Sequence, residues 1–476
     1  MSKLFSDFEG DDGVPGAQRR AALFALMLGT LIMGLDSSIV NVALPQIALD
    51  MHAEPSAVVW VANAYTLAGA MSMVAFASMG DIIGYRRLYI GGLAIFTLSS
   101  LGCSLAWSLP ALNIFRFIQG LGCAASMSIV PALYRQIFPA RLLGSALGIS
   151  SMMVAASLAA GPTIGGLLLA GFRWPSLFLV NLPIGIAGVM LSRKGLPRIA
   201  GRGGKFDYAG AAWSAIALGA IVLAVDSLSR DARHSQMLQL ALVAAVAVAL
   251  FIWSQRRARA PLLPLQIFAS PRFTLAICTS FCSFTAQGIA FIAMPFLFQG
   301  AFGQTPLMSA AMFTPWPLAI VIFGPVSGRL SDRLPPAVLS TAGLLVYACG
   351  LALLATLDAH PAVPDILWRT FVCGAGFGLF QSPNNREILS SCPREHSGAG
   401  SGMLAIARTF GQSLGAAITA IAMFIAGAAI SATAANAGSA GAESPGIHIA
   451  LWVAAGAATL AMLASTSRIR YHRKSA

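Results

Sequence analysis

One carboxylate stands out by where it lies. Asp36 is the only one of seventeen acidic residues deep within a long apolar run. It falls about 15 residues into that run, roughly 22 Å along a helix axis. An ionisable group in such a place is expensive and marks a proton or substrate path by default. A lipophilic cation could compete with a proton there, which is the minimal chemistry of exchange. The alternative is structural, with Asp36 holding helix backbones or pairing with an arginine. Three arginines also fall inside apolar runs: Arg116, Arg369 and Arg408. Arg116 reads either as part of a proton path or as half of an ion pair whose acid is not evident. Arg369 and Arg408 would tune the potential of a cavity, and they would suit a substrate with an anionic group.

Two short loops carry charge at equivalent places. One holds Asp81, Gly84, Arg86 and Arg87, the other Gly328, Asp332 and Arg333. Charges at helix ends can pair with helix termini across a gap in one state and part in another. The plainer reading is that basic loops simply stay on one side of a membrane. A third set concerns backbone: Gly144, Gly148, Gly161, Pro162, Gly165 and Gly166. Small residues four apart admit close helix contact. Proline removes a backbone donor and bends a helix. Further polar candidates for a cavity wall are Asn41, Tyr65, Gln119, Tyr134, Gln287, Gln381 and Asn384. The sequence has no Walker loop, metal-ligand cluster or nucleophile elbow. It therefore reads as no enzyme, with no metal and no cofactor, and the exchange at Asp36 would use protons as the coupling ion.

These residues need elements to hold them, and composition says which. The chain is 57% hydrophobic and only 10% charged, where a soluble domain carries roughly 25% charge. Fourteen apolar runs reach the roughly 20 residues a membrane helix needs. They span approximately 21–44, 57–79, 88–107, 110–133, 143–170, 175–192, 208–228, 237–254, 273–299, 306–327, 337–357, 364–385, 399–427 and 447–467. An even count puts both termini on one side. Of the thirty Lys and Arg, 24 then fall on that side, 3 on the other and 3 inside the runs. That asymmetry predicts cytoplasmic termini. The net charge of +13 sits in these short loops, which argues against nucleic acid as a partner. The first apolar run is too long for a cleaved leader and is expected to remain as a span. The seven cysteines suggest no disulfide framework.

The chain also repeats itself. RFIQGLGCAA from Arg116 returns as RTFVCGAGFG from Arg369, an offset of 253. Asp81 returns as Asp332, and Gly144, Gly148 and Gly161 return as Gly398, Gly402 and Gly415, at offsets of 251 and 254. Two repeats with a site between them near the midplane is the plan of an alternating-access transporter. The predicted fold is an all-α membrane protein of fourteen helices. A tail at 1–20 leads to a six-helix bundle at 21–192. Linkers and two inserted helices occupy 193–272, a second six-helix bundle 273–467 and a tail 468–476.

Seven motifs in order carry a family resemblance over nearly the whole chain. They are LDSSIVNVALP from Leu35, GDIIGYRR from Gly80, RFIQGLGCAA from Arg116, AAGPTIGG from Ala159, WPSLFLVNLP from Trp174, FDYAG from Phe206 and PLLPLQIF from Pro261. With them the chain resembles the major facilitator superfamily, in particular the fourteen-helix drug:proton antiporters of the EmrB/QacA and SmvA type. Ala77 and Ile82 depart from that family's loop pattern. The resemblance implies a major facilitator fold in a bacterial inner membrane. It makes Asp36 and Arg116 the coupling residues, the charged loops a gate and AAGPTIGG an antiporter signature. It implies a proton-coupled exporter of lipophilic cations such as quaternary ammonium biocides, viologens and dyes, acting as a monomer, with a tripartite envelope partner left open. Two other readings stand beside it: export of an endogenous, anionic or zwitterionic compound, and a non-transporting sensor or assembly protein.

Overall fold

The computed structural model describes residues 13–199, 201, 203, 206–227, 234–258, 262, 265–331, 334–358, 361–391, 397–433 and 444–473. Its secondary structure among these is helical. We number the long helical elements α1 (Gly16–Asp50), α2 (Pro55–Ile83), α3 (Tyr85–Ser104), α4 (Leu109–Ile137), α5 (Ala140–Gly171), α6 (Ser176–Gly195), α7 (Tyr208–Asp226) and α8 (His234–Arg257). The series continues with α9 (Pro271–Ala301), α10 (Pro306–Phe313 and Pro315–Leu330), α11 (Pro336–Ala355), α12 (Val363–Ser390), α13 (Ser397–Thr433) and α14 (Ser444–Arg473).

Local sequence explains the starts and breaks. Pro55, Pro271, Pro306 and Pro336 open their helices, where a missing N–H costs nothing. Ser108, Thr305 and Asp207 cap the next helices by accepting from Ala111, Met308 and Gly210 N–H. Gly84 turns α2 into α3 with φ +95°, a conformation that penalises any side chain.

Among the described residues, eleven of these helices are long and apolar enough to cross a membrane. The sequence led us to expect fourteen. Of the three others, two carry charge that lowers their mean hydropathy. α3 opens on Arg86 and Arg87, and α12 carries Asp365, Arg369, Arg386 and Glu387. α5 is helical over Ala140–Gly171, and among its described residues Ala160–Gly171 is an apolar stretch.

Packing follows the internal repeat. In the first half α1 packs on α5 and α6, α4 on α2 and α3, and α3 on α6. In the second half α9 packs on α13 and α14, α12 on α10 and α11, and α11 on α14. The halves meet through two equivalent seams, α2 against α13 and α5 against α10. α7 and α8 pair with each other, and α7 lies on the α2–α13 seam, where Leu67, Val222 and Ala417 form a small core. α8 turns Leu238, Leu242 and Val246 outward, as a lipid-facing helix must.

The halves are joined at one end. The largest apolar core runs through both, from Ile39, Val42 and Leu169 to Met294, Phe313 and Trp316. Toward the chain's termini it divides. One core there belongs to the first half, around Leu26, Tyr89, Leu133 and Phe138. The other belongs to the second half, around Phe273, Ile277 and Ile388. Among the described residues, three hydrogen bonds cross between the halves. Gln299 Nε2 donates to Val42 O at 2.9 Å, Thr163 and Thr314 hydroxyls share a bond of 3.0 Å, and Ser413 donates to Asn63 Oδ1. Val42, Asn63 and Thr163 each lie eight residues from the helix end remote from the termini. The halves are therefore closed against each other at the remote end.

Gly166 makes the α5–α10 seam close. A Cβ there would lie 2.7 Å from Ala310 Cβ and 3.2 Å from Pro306 O, inside van der Waals contact. We expect Thr163→Cys and Thr314→Cys to form a disulfide readily in a background without the native cysteines. Gly166→Leu should lower that cross-linking severalfold by prising the seam apart. Unchanged cross-linking would count against a closed remote end.

Candidate functional site

The centre of the first half is a buried ion pair. α1 supplies Asp36, and α4 supplies Arg116 and Gln119, three residues apart on one face. α3 brings Ser100 and α6 brings Asn181. Arg116 Nη1 donates to Asp36 Oδ2 at 2.6 Å. Asp36 Oδ1 accepts from Asn181 Nδ2 at 2.7 Å and from Gln119 Nε2 at 3.0 Å. Asp36 and Arg116 have 0% and 1% of their side-chain surface exposed. Two residues the sequence singled out separately are thus partners, and the acid that Arg116 lacked is Asp36.

The rest of the guanidinium is also held. Arg116 Nε donates to Val61 O at 2.9 Å, and Nη1 donates to Gln119 Oε1 at 2.6 Å. The Tyr65 ring lies 4.3 Å below its carbon and the Phe178 ring 5.7 Å away, within cation–π range. Gln119 Nε2 reaches Ser100 Oγ at 2.7 Å, and Asn181 reaches it at 3.3 Å. Five helices are tied through one carboxylate. Sequence reasoning missed Asn181 and Ser100. Asn181 stood in the WPSLFLVNLP motif as its one amide, a signal that was available.

The glycines connect this pair to the seam. A Cβ on Gly161 would collide with Ser38 Oγ, and one on Gly165 would lie 2.9 Å from Ile39 Cγ1. Ser38 and Ile39 follow Asp36 by two and three residues. Gly166, next along α5, faces α10. In the second half a Cβ on Gly415 would lie 2.8 Å from Ile289 N of α9, the equivalent contact. Pro162 is buried within α5, which runs on unbroken. Gly144 and Gly148 lie on the same helix.

Other expected residues go elsewhere. Arg369, the repeat mate of Arg116, is no cavity residue. It pairs with Asp365 at 2.8 Å one turn away and donates to Leu353 O and Thr356, near the remote end of α12. The short spacing to Asp365 decides this. Tyr134 is fully buried, stacked on Phe138 at 5.8 Å, because the helix restarts at Val130 and turns it into the core. Asn384 joins a second buried cluster, where it accepts from Arg468 Nη1 at 2.7 Å and donates to Ser280 at 2.7 Å. Arg468 also pairs with Glu387 at 3.1 Å. Both lie beyond the apolar runs that end at 385 and 467, but α12 and α14 extend past those runs and bury them.

Gln287 accepts from Gln412 Nε2 at 3.1 Å, between α9 and α13. Asn41 is buried on α1 and Gln381 half-buried on α12. Arg408 on α13 is half-buried and lies in electrostatic range of Tyr65 and Cys123 of the first half. In the first loop, Asp81 accepts from the Tyr85 hydroxyl, and Arg86 donates to Arg193 O at 2.6 Å. These bonds stay within the first half. A Cβ on Gly328 would face Ser382 Oγ at 3.2 Å. Asp332 and Arg333 lie outside the described residues.

Apolar helices in two equivalent bundles, with charge buried beside the seam they share, define a membrane transporter. The chain belongs to the Major Facilitator Superfamily, whose family model matches residues 26–416. It is 43% identical to the uncharacterized transporter YebQ of Escherichia coli (strain K12), over 86% of this chain and 90% of that one. It is 34% identical to the multidrug resistance protein Stp of Mycobacterium tuberculosis, over 83% of this chain and 74% of that one. Its fold matches a crystal structure of a POT family transporter in complex with 5-aminolevulinic acid, with TM-score 0.70 at 14% identity, covering 99% and 98% of the two chains. Transport, not enzymatic catalysis, is the family's work.

Removing one member of a buried pair leaves the other charge uncompensated, which typically costs about 3–5 kcal/mol. We expect Asp36→Asn and Arg116→Gln each to lower the thermal midpoint of the detergent-purified protein. The double substitution should lose clearly less than the sum, because it leaves no orphan charge. Additive losses would mean that the two side chains do not interact.

Proposed function

We propose that the chain is a proton-coupled exporter of small lipophilic organic compounds, working by alternating access in a bacterial inner membrane with both termini cytoplasmic. The observation that carries this reading is the sealed Asp36–Arg116 pair beside the seam between the halves. A protonated Asp36 no longer compensates Arg116. The guanidinium then falls back on Gln119 and Val61 O, and the carboxyl becomes a donor among donors. The bonds to Asn181 and Gln119 must rearrange, and α1 shifts against α5 through Ser38 and Ile39. Gly166 passes that shift to α10 and to the remote closure. Proton entry from the outer face would open that closure, and proton release toward the cytoplasm would restore it. The unit is one chain, since it contains both halves.

Lipophilic cations were the class drawn from the sequence, on the idea that they displace a proton at Asp36. With Asp36 sealed, coupling through helix movement is better supported than direct displacement. The multidrug resistance protein among the relatives supports export of drug-like compounds.

The test uses inverted membrane vesicles with an imposed pH gradient, read by a pH-sensitive dye. Organic cations and anions are added in turn. At least one compound should dissipate the gradient in wild type, and Asp36→Asn should lose at least about tenfold of that rate, the effect of roughly 1.4 kcal/mol. Dissipation that survives Asp36→Asn unchanged would remove Asp36 from coupling.

A further inference from the structure

Of the three hydrogen bonds that join the halves among the described residues, one is built differently. Gln299 is half-buried and Thr163 is exposed, so their remaining polar groups can reach water. Asn63 of α2 and Ser413 of α13 are sealed, with 1% and 0% of their surface exposed. Ser413 Oγ donates to Asn63 Oδ1. Among the described residues, Asn63 Nδ2 has no partner. Turning the amide over would let Ser413 accept and would leave Oδ1 unmet instead. One of its two groups is orphaned either way.

The surroundings keep this amide dry and set it beside the ion pair. Leu67, one turn after Asn63, and Ala417, one turn after Ser413, pack with Val222 of α7. On α2, Asn63 stands between Val61, whose carbonyl accepts from Arg116 Nε, and Tyr65, whose ring lies under the Arg116 guanidinium. α4 holds this stretch closely, since a Cβ on Gly120 would lie 2.3 Å from Tyr65 O. One turn of α2 thus contacts the ion pair and the second half. A buried amide group without a partner has lost its hydration and gained nothing in return. It regains that hydration when the halves part. The closed seam therefore carries a cost that opening removes.

We propose that Asn63 is a positioning residue of the transport cycle: its half-met amide holds the remote closure through one bond to Ser413 and keeps that closure only weakly favoured, so that it can open. This deepens the exporter reading and rests on its alternating access. Removing the Ser413 hydroxyl alone leaves both amide groups unmet, which favours the open state. Apolar side chains in place of both partners remove the bond and the orphan group together, and such a seam is neutral or more stable. The two changes therefore act in opposite directions.

The test reads how often the remote end opens, in the detergent-purified full chain with no proton gradient. Val42→Cys is introduced into a background without the native cysteines. Val42 is buried where the halves meet, so a bulky hydrophilic maleimide labels it only when they part. Glu54→Cys, exposed at the same end, sets the rate for an open position. With the seam intact, Val42→Cys should label at least about tenfold more slowly than Glu54→Cys. Ser413→Ala should raise the Val42→Cys rate at least about threefold, and Asn63→Leu together with Ser413→Ala should bring it at least about threefold below that of the intact seam. A bond that merely holds structure predicts faster labelling in both. Thermal melting identifies a double substitution that has lost its fold, and Asn63→Val with Ser413→Ala then decides. The proposal is overturned if the double substitution labels as fast as the intact seam or faster, or if Ser413→Ala leaves the rate unchanged or lowers it. Those results leave alternating access standing. Labelling of Val42→Cys as fast as Glu54→Cys in the intact seam would overturn both, because there would be no closure to release.

Discussion

A carboxylate and a guanidinium 2.6 Å apart, with no surface exposed to water, constrain everything around them. Neither ion can be left alone in that environment, because burying an unpaired charge costs far more than a lost contact. Each remaining lone pair and N–H must also be met. Asn181, Gln119, Ser100 and the Val61 carbonyl meet them, and in doing so they fix the positions of α1, α2, α3, α4 and α6. The first half is organised around one pair in which protonation of the carboxylate would leave the guanidinium uncompensated.

Small residues connect that pair to the contacts between the halves. α1 and α5 touch at Gly161 and Gly165, where no side chain holds the backbones apart. Any movement of α1 at Ser38 would therefore reach α5 without slack, since packed interfaces shift between discrete arrangements rather than deform. The same helix carries Gly166 against α10. The ion pair, the glycine contacts of α5 and the remote closure lie along one contiguous line of contacts.

The two halves share a packing plan but not a charge plan. The repeat gives both the same helix neighbours. In the second half, however, the arginine equivalent to Arg116 is tied to Asp365 near the remote end, and the sealed pair is Glu387–Arg468, toward the termini. Gly415 repeats Gly161, whereas Ala416 stands where Pro162 would return. The first half holds the sealed Asp36–Arg116 pair. The second half carries Arg408, half-buried on α13 and without a hydrogen bond or ion pair among the described residues. Duplication supplied the frame, and divergence gave each half its own chemistry.

Composition, run length and charge placement were enough to read a polytopic helical membrane protein with an internal repeat, because lipid permits few other solutions for such a chain. The same reading found Asp36, Arg116 and Arg408, since any charge in an apolar run is conspicuous. It could not see who pairs with whom. Asp36 and Arg116 are 80 residues apart, and nothing in linear order distinguishes a paired arginine from an unpaired one. Nor could it see that Glu387 and Arg468 are buried, because α12 and α14 continue past their apolar stretches and only a neighbour's position decides whether a helix end meets water. Hydrophobic content and periodicity determined which segments are helices and which charges are costly. Tertiary packing alone decided which of those charges are neutralised and at which end the halves are closed.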